Sequence, residues 1–130
     1  MRILLVEDNL ALSNLIQQKL GKFHVVDASY NLQMARYSLD IKSYDLLILD
    51  LFLPDGSGCE LCDYLKENKI ILPILFLTAS VDVKQKISCL RQGDDYLVKP
   101  FNIQELEVRV KILLSKISSQ EAKHLKNTNF

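Results

Sequence analysis

Short apolar runs of four to six residues alternate along this chain with longer stretches in which apolar side chains recur at helical spacing. The short runs predict strands near 2–6, 23–28, 45–49, 73–77 and 95–98. The longer ones predict helices near 9–20, 31–41, 57–68, 82–92 and 102–117. Leu12, Leu15, Ile16 and Leu20 form one stripe on the first helix. Leu106, Val110, Leu113 and Leu114 do the same on the last, with Ile117 one turn on. Strands alternating with helices build βαβ units around a parallel sheet, an α/β architecture. The third and fourth strands are apolar throughout, as expected where helices cover both faces of a sheet. The second, Phe23 to Ala28, is less apolar and reads as an edge strand. Gly21 and Gly93 follow helical stretches as C-terminal caps, and Asn9, Asn31 and Asn102 precede them as N-caps.

Composition narrows the function without choosing it. The 130 residues fit one domain able to bury a core without metal or disulfide. Lys plus Arg equal Asp plus Glu at 16 each, so there is no basic face of the kind that duplex-binding modules carry. The longest apolar run, Ile70 to Leu77, contains Pro73 and is far too short to span a bilayer. The amino terminus has no signal-peptide pattern, and three cysteines, an odd number, suit a reducing compartment, so a cytoplasmic location is expected.

Four of the predicted strands end in residues suited to phosphoryl chemistry. Arg2 to Val6 stops at Glu7 and Asp8, Asp45 to Leu49 at Asp50, Pro73 to Leu77 at Thr78, and Tyr96 to Val98 at Lys99. In an open parallel sheet these ends share one edge, where α/β folds bind ligands. Two carboxylates about 4 Å apart repel by roughly 4 kcal/mol at an effective dielectric near 20. A hard divalent cation such as Mg²⁺ relieves that repulsion with few carboxylates, leaving room for water and phosphate oxygens. One carboxylate can then act as nucleophile and form an aspartyl phosphate. Asp50 is the better candidate, since it ends the most apolar strand and precedes the turn-rich loop Leu51 to Gly58. Lys99 offers a positive charge and Thr78 a hydroxyl donor to the phosphoryl oxygens.

The sequence resembles the receiver domain of bacterial two-component response regulators over residues 1–117. The likeness rests on Ile3-Leu-Leu-Val-Glu-Asp8, Leu49-Asp-Leu-Phe-Leu-Pro-Asp-Gly-Ser-Gly58, Leu77-Thr-Ala79 and Asp94-Asp-Tyr-Leu-Val-Lys-Pro-Phe101, in that order and spacing. The resemblance implies a doubly wound, five-stranded parallel sheet, the flavodoxin-like (βα)5 fold, in which Asp50 takes phosphate from a sensor histidine kinase. It also implies a Mg²⁺ site made by Glu7, Asp8, Asp50 and the backbone carbonyl of Phe52, phosphoryl contacts from Thr78 and Lys99, and a cis Lys99–Pro100 bond. Tyr96 matches the switch aromatic of such domains, which packs inward when Thr78 is drawn to the phosphate; such a ligand shifts an existing equilibrium.

From Lys86 to Ile117 the chain is most similar to the OmpR/PhoB subfamily, whose receivers precede a winged-helix DNA-binding domain and form homodimers when active. That resemblance implies interchain ion pairs Lys86–Glu105 and Asp95–Arg109, flanking an apolar patch of Ile87, Leu90 and Val108. Two departures bear on that face. Gln92-Gly-Asp-Asp-Tyr96 is one residue shorter than the usual family turn, and Arg91 stands where the subfamily often has an acid facing the position of Lys111. Residues 118–130 lose the apolar period and read as a linker or frayed tail. An excised receiver is expected, with a stand-alone receiver acting through protein contacts as the alternative.

Other signals point elsewhere. Cys59-Glu-Leu-Cys62 has redox or zinc spacing, but no second ligand pair accompanies it, and the receiver resemblance implies apolar positions on the third helix for both cysteines, where packing is the expected role. His24, on the second strand, is not expected to be the phosphodonor. An aspartyl phosphohydrolase would generally carry a second acid where this chain has Phe52. A pseudo-receiver would lack an acid or the lysine. A flavodoxin would carry a Ser/Thr/Gly-rich cradle after the first strand. The expected role is therefore not that of an enzyme with an external substrate.

Overall fold

The computed structural model describes residues 1–79 and 88–128, with side chains for all of these except Ser88, Leu90 and residues 118–128. Its strands are β1 (Arg2–Val6), β2 (Val25–Ser29), β3 (Leu46–Asp50), β4 (Phe52–Leu53), β5 (Gly56–Ser57), β6 (Ile74–Thr78) and β7 (Asp95–Val98). The helices are α1 (Leu10–Leu20), α2 (Leu32–Ile41), α3 (Gly58–Glu67) and α4 (Ile103–Thr128), with a 3₁₀ helix at Ser88–Gln92. Five strands pair in the order β2-β1-β3-β6-β7, all parallel, while β4 and β5 form a small antiparallel hairpin. This is the expected doubly wound α/β fold, with β3 central and β2 at an edge.

Period-two alternation divides each central strand between two cores. Leu4, Val6, Leu47, Leu49 and Phe76 pack towards α2 and α3, with Leu32, Ala35, Leu39, Leu61 and Leu65. Ile3, Leu5, Ile48, Leu75 and Leu77 pack on the other face with Ile16 and Leu20 of α1 and Leu106, Val110, Leu113 and Leu114 of α4. Each fully buried leucine contributes roughly 2 kcal/mol from apolar transfer, so a one-residue slip of any central strand would exchange both cores at once. The three asparagine caps form as expected, their side chains accepting from Leu12 N, Met34 N and Gln104 N.

Several expectations are corrected. The second strand starts at Val25, because the amides of Phe23 and His24 donate back to the Leu20 carbonyl and prolong the end of α1. Gly21 does cap α1, but in the right-handed conformation. Leu15 is exposed, and Ser13 is buried in its place on the core side of α1. The final helix continues to Thr128 instead of fraying after Ile117. Loss of apolar period removes a buried face but not helicity, and 118–128 contain no Gly or Pro to stop the turn. Of the helix expected at 82–92, residues 82–87 lie outside the described residues, and 88–92 are 3₁₀ helix.

The cysteines divide as well. Cys62 is buried and free, as packing predicts. Cys59 instead forms a disulfide with Cys89, their α-carbons 5.5 Å apart. The first turn of α3 and the 3₁₀ helix approach each other only in the folded chain, so spacing alone could not reveal the pair.

Candidate functional site

Strand register brings the polar ends together. Val6 lies opposite Leu49, so Glu7 and Asp50 emerge side by side. Asp50 lies opposite Leu77 and Thr78 opposite Val98, which sets Thr78 and Lys99 beside them along the carboxyl edge. Backbone bonds extend each ladder past its strand, with Glu7 N donating to Ser29 O, Leu51 N to Leu77 O and Lys99 N to Thr78 O. Lys99–Pro100 is a cis peptide, as the resemblance implied.

One carboxylate oxygen from each of Glu7, Asp8 and Asp50 lies within 4.8 Å of the others. Glu7 and Asp50 are buried while Asp8 is exposed. Lys99 Nζ donates to Glu7 Oε1 at 2.5 Å and to Asp50 Oδ2 at 3.1 Å. The second Glu7 oxygen accepts from Asn9 N at 3.1 Å, and Asp50 Oδ1 accepts from Phe52 N at 3.2 Å. Burial acts most strongly on Lys99 and pulls its pKa down. The hydrogen bond to Glu7 and the charge of Asp50 outweigh it, leaving the ammonium above its ordinary value. Three carboxylates against one ammonium leave the cluster two negative charges in excess. Hard oxygen donors with that excess fit Mg²⁺, and the exposed side of Asp8 faces the solvent from which an ion would arrive.

The loop after Asp50 is more structured than its turn-rich sequence suggests. It folds as the β4–β5 hairpin, and its Asp55 carboxylate accepts from Leu32 N at 2.8 Å and Gln33 N at 3.1 Å, the first amides of α2. Those bonds, led by the one from Leu32, hold the Asp55 pKa below the usual carboxylate range. Gly56 has φ +148°, and a Cβ there would fall 2.3 Å from Glu60 Oε2 and 2.9 Å from Leu32 Cδ1, so the tip accepts only glycine. The Leu53-Pro-Asp-Gly56 turn was legible as a turn; its clasp on α2 carried no local signal.

Thr78 is fully buried at the end of β6. Tyr96, on β7, is partly buried and stacks on Phe76, with ring centroids 6.0 Å apart and planes 10° from parallel. Burial first, then the charges of Asp94 and Asp95, raise the Tyr96 hydroxyl pKa. The shortened turn is tight: Asp94 N donates to Ile74 O and Ile74 N to Asp94 Oδ2, both at 2.9 Å. A Cβ at Gly93 would fall 2.5 Å from a Phe76 ring carbon, so the close approach of that stack requires glycine.

Of the residues expected on a dimer face, Lys86 and Ile87 lie outside the described residues, as does the Leu90 side chain. Val108 is exposed on α4. Asp95, Glu105 and Arg109 pair within the chain, Arg109 reaching Asp95 at 2.7 Å and Glu105 at 3.0 Å. Arg91 and Lys111 are both exposed. His24 precedes β2, remote in sequence from the acidic edge, and burial lowers its pKa.

Residues 3–111 match the family described as the response regulator receiver domain. The transcriptional regulatory protein BasR of Escherichia coli (strain K12) is 40% identical over 122 residues, covering 92% of this chain and 55% of that protein. The response regulator TrrA from Thermotoga maritima, solved in complex with Mg(2+)-BeF, has a similar structure with a TM-score of 0.76 at 32% identity, covering 86% of this chain and 97% of that one. DrrB, an OmpR/PhoB homolog from the same organism, gives a TM-score of 0.77 at 28% identity, covering 88% of this chain and 52% of its own. The chain spans about half the length of the curated relatives it matches. No described helix is long and apolar enough to cross a membrane.

Proposed function

This chain belongs to the response regulator receiver domain family, and from that premise we propose that Asp50 accepts a phosphoryl group from a sensor histidine kinase in the cytoplasm. The observation that carries the reading is the Lys99 ammonium held 3.1 Å from Asp50 beside two further carboxylates. An Asp50 oxygen attacks phosphorus as the phosphorus–nitrogen bond of the donor phosphohistidine breaks, and the electron pair leaves with the imidazole. The Phe52 amide holds one Asp50 oxygen and fixes the direction in which the other points. Glu7 keeps Lys99 protonated and in place; Lys99 turns from carboxylate to phosphoryl oxygen as charge moves outward. Thr78 donates its hydroxyl to a second phosphoryl oxygen. Asp8, Asp50 and the Phe52 carbonyl, with Glu7 behind them, would hold Mg²⁺, which when bound neutralises charge on the phosphoryl oxygens.

The downstream event is a population shift. Thr78 drawn towards phosphate vacates space beside the Phe76–Tyr96 stack, and Tyr96 follows inward. Lys86, Ile87, Leu90, Asp95, Glu105, Val108 and Arg109 then form a homodimer face that brings together DNA-binding domains joined to the receivers. For this, Arg109 exchanges its internal partner Asp95 for the partner subunit's equivalent, a substitution of like for like that costs little. Acetyl phosphate with Mg²⁺ tests the acceptor: one phosphoryl group is expected on the chain, and none on Asp50→Asn. Labelling that survives the substitution would place the acceptor elsewhere.

A further inference from the structure

A second pair of reactive side chains lies outside the acidic edge. Cys59, in the first turn of α3, and Cys89, in the 3₁₀ helix, form a disulfide whose α-carbon separation of 5.5 Å is ordinary for such a bond. We propose that this bond forms and breaks reversibly in the working protein and controls whether phosphorylation of Asp50 reaches the dimer face. The inference rests on the receiver reading above and adds a second input to it.

Two observations support it. The first is placement. Cys59 follows the β4–β5 hairpin, and Gly58 before it is pressed on the acceptor strand so closely that a Cβ would meet Asp50 O at 2.6 Å. Cys89 lies just ahead of Gly93, which abuts the Phe76–Tyr96 rings. The bond therefore ties the acceptor's own loop to the segment feeding the switch aromatic, and the covalent loop it closes contains β6 and Thr78. The second is selectivity. Cys62, one turn beyond Cys59, is buried, and burial pushes its thiol up to about 11, so it stays protonated and does not compete for Cys59. With the cytoplasmic location proposed above, the bond would be transient and redox-sensing, as disulfides in a reducing compartment usually are.

The chemistry is a two-electron exchange with a low-molecular-weight disulfide such as glutathione disulfide. Cys59 is the more exposed of the pair, Cys89 being buried, so Cys59 attacks first. Its thiolate forms a mixed disulfide and releases one glutathione thiolate. The Cys89 thiolate then displaces the second. The protein loses two electrons and two protons, and the oxidant gains them as two thiols. Once closed, the bond holds α3 and the 3₁₀ helix in one arrangement, and the movement of Tyr96, which packs on the core shared by Cys89, Phe76 and α3, is restrained.

The test uses the full chain in its dithiothreitol-reduced and glutathione disulfide-oxidised forms. Peptide mass analysis should find a Cys59–Cys89 link in the oxidised form that dithiothreitol removes. Beryllofluoride with Mg²⁺ should raise the melting temperature of both forms, yet the oxidised one should need about tenfold more to dimerise, within the usual range of coupling between sites. Cys59→Ser should dimerise as the reduced chain does in either buffer. Full alkylation of both thiols in glutathione disulfide, a link to Cys62, or equal dimerisation of both forms would overturn the proposal alone. A reduced chain that shows no thermal response to beryllofluoride, or responds without dimerising, would overturn it together with the receiver reading or its dimer step respectively.

Discussion

At the carboxyl edge of the sheet, Glu7 and Asp50 are almost wholly buried, bridged by Lys99, and each is fixed by a strand packed on both faces. On the outer face of β7 and α4, Arg109 joins Asp95 and Glu105 in equally short contacts, but Arg109 and Asp95 remain about a third open to water and Glu105 about half. The distances are alike and the energetics are not. A buried carboxylate that loses its cation keeps its desolvation cost, whereas a solvated ion pair exchanges its partner for water or another chain at little cost. The contrast matches the roles proposed for the two regions: chemistry where movement is expensive, and partner exchange where it is cheap.

The contrast can be broken from the costly side first. Lys99→Met should lower the unfolding free energy by about 3 kcal/mol, the low end for a broken buried pair because Lys99 is partly exposed. Urea titration measures the loss, and partial recovery in millimolar Mg²⁺ would identify charge as the cause. A loss under about 1 kcal/mol would mean the edge is no more rigid than the surface. Gly93→Ala acts where the two regions meet. Its methyl would collide with the Phe76 ring, and a cost of about 2 kcal/mol is expected from overpacking. Weakened near-ultraviolet dichroism of Tyr96 should accompany it.

Smaller effects sharpen the comparison. Asp55→Ala should cost about 1 kcal/mol, the ordinary loss for a helix cap. Because the folded Asp55 pKa is depressed, its contribution is fully present above the usual carboxylate pKa and lost as pH falls through the lowered folded value. The wild type should therefore lose stability more steeply than the variant on the acid side, and denaturation midpoints across that range check the sign. Arg109→Ala should change monomer stability least, by about 0.5 kcal/mol or below, while reducing beryllofluoride-induced dimerisation. A monomer cost above about 2 kcal/mol would make the outer face as rigid as the edge.

The acidic edge was legible in the sequence because a polar residue directly after an apolar run has one place to go in a parallel sheet. Glu7, Asp8, Asp50, Thr78 and Lys99 needed only that rule. What escaped depended on contacts between segments with no shared period. Asp55 caps α2 from a different loop, Cys59 meets Cys89 across 30 residues, and Ser13 shares the core side of α1 with Ile16 and Leu20 while Leu15 is exposed. Glu7 is subtler. Its position was foreseen as a metal ligand, yet both its oxygens accept protein donors, a division of labour visible only once Lys99 and Asn9 are in place.

The clasp between Asp55 and the first amides of α2 has a consequence for donor choice. It gives the doorway to Asp50 a foundation in a helix that lends no residue to the chemistry. Leu32, Ala35 and Leu39 seat that helix on the sheet, so repacking beneath them would slide the threshold sideways while Asp50 stayed where it is. Under the proposed receiver function, selectivity among incoming kinases would then drift through substitutions in a buried hydrophobic layer, away from the residues proposed to handle phosphate.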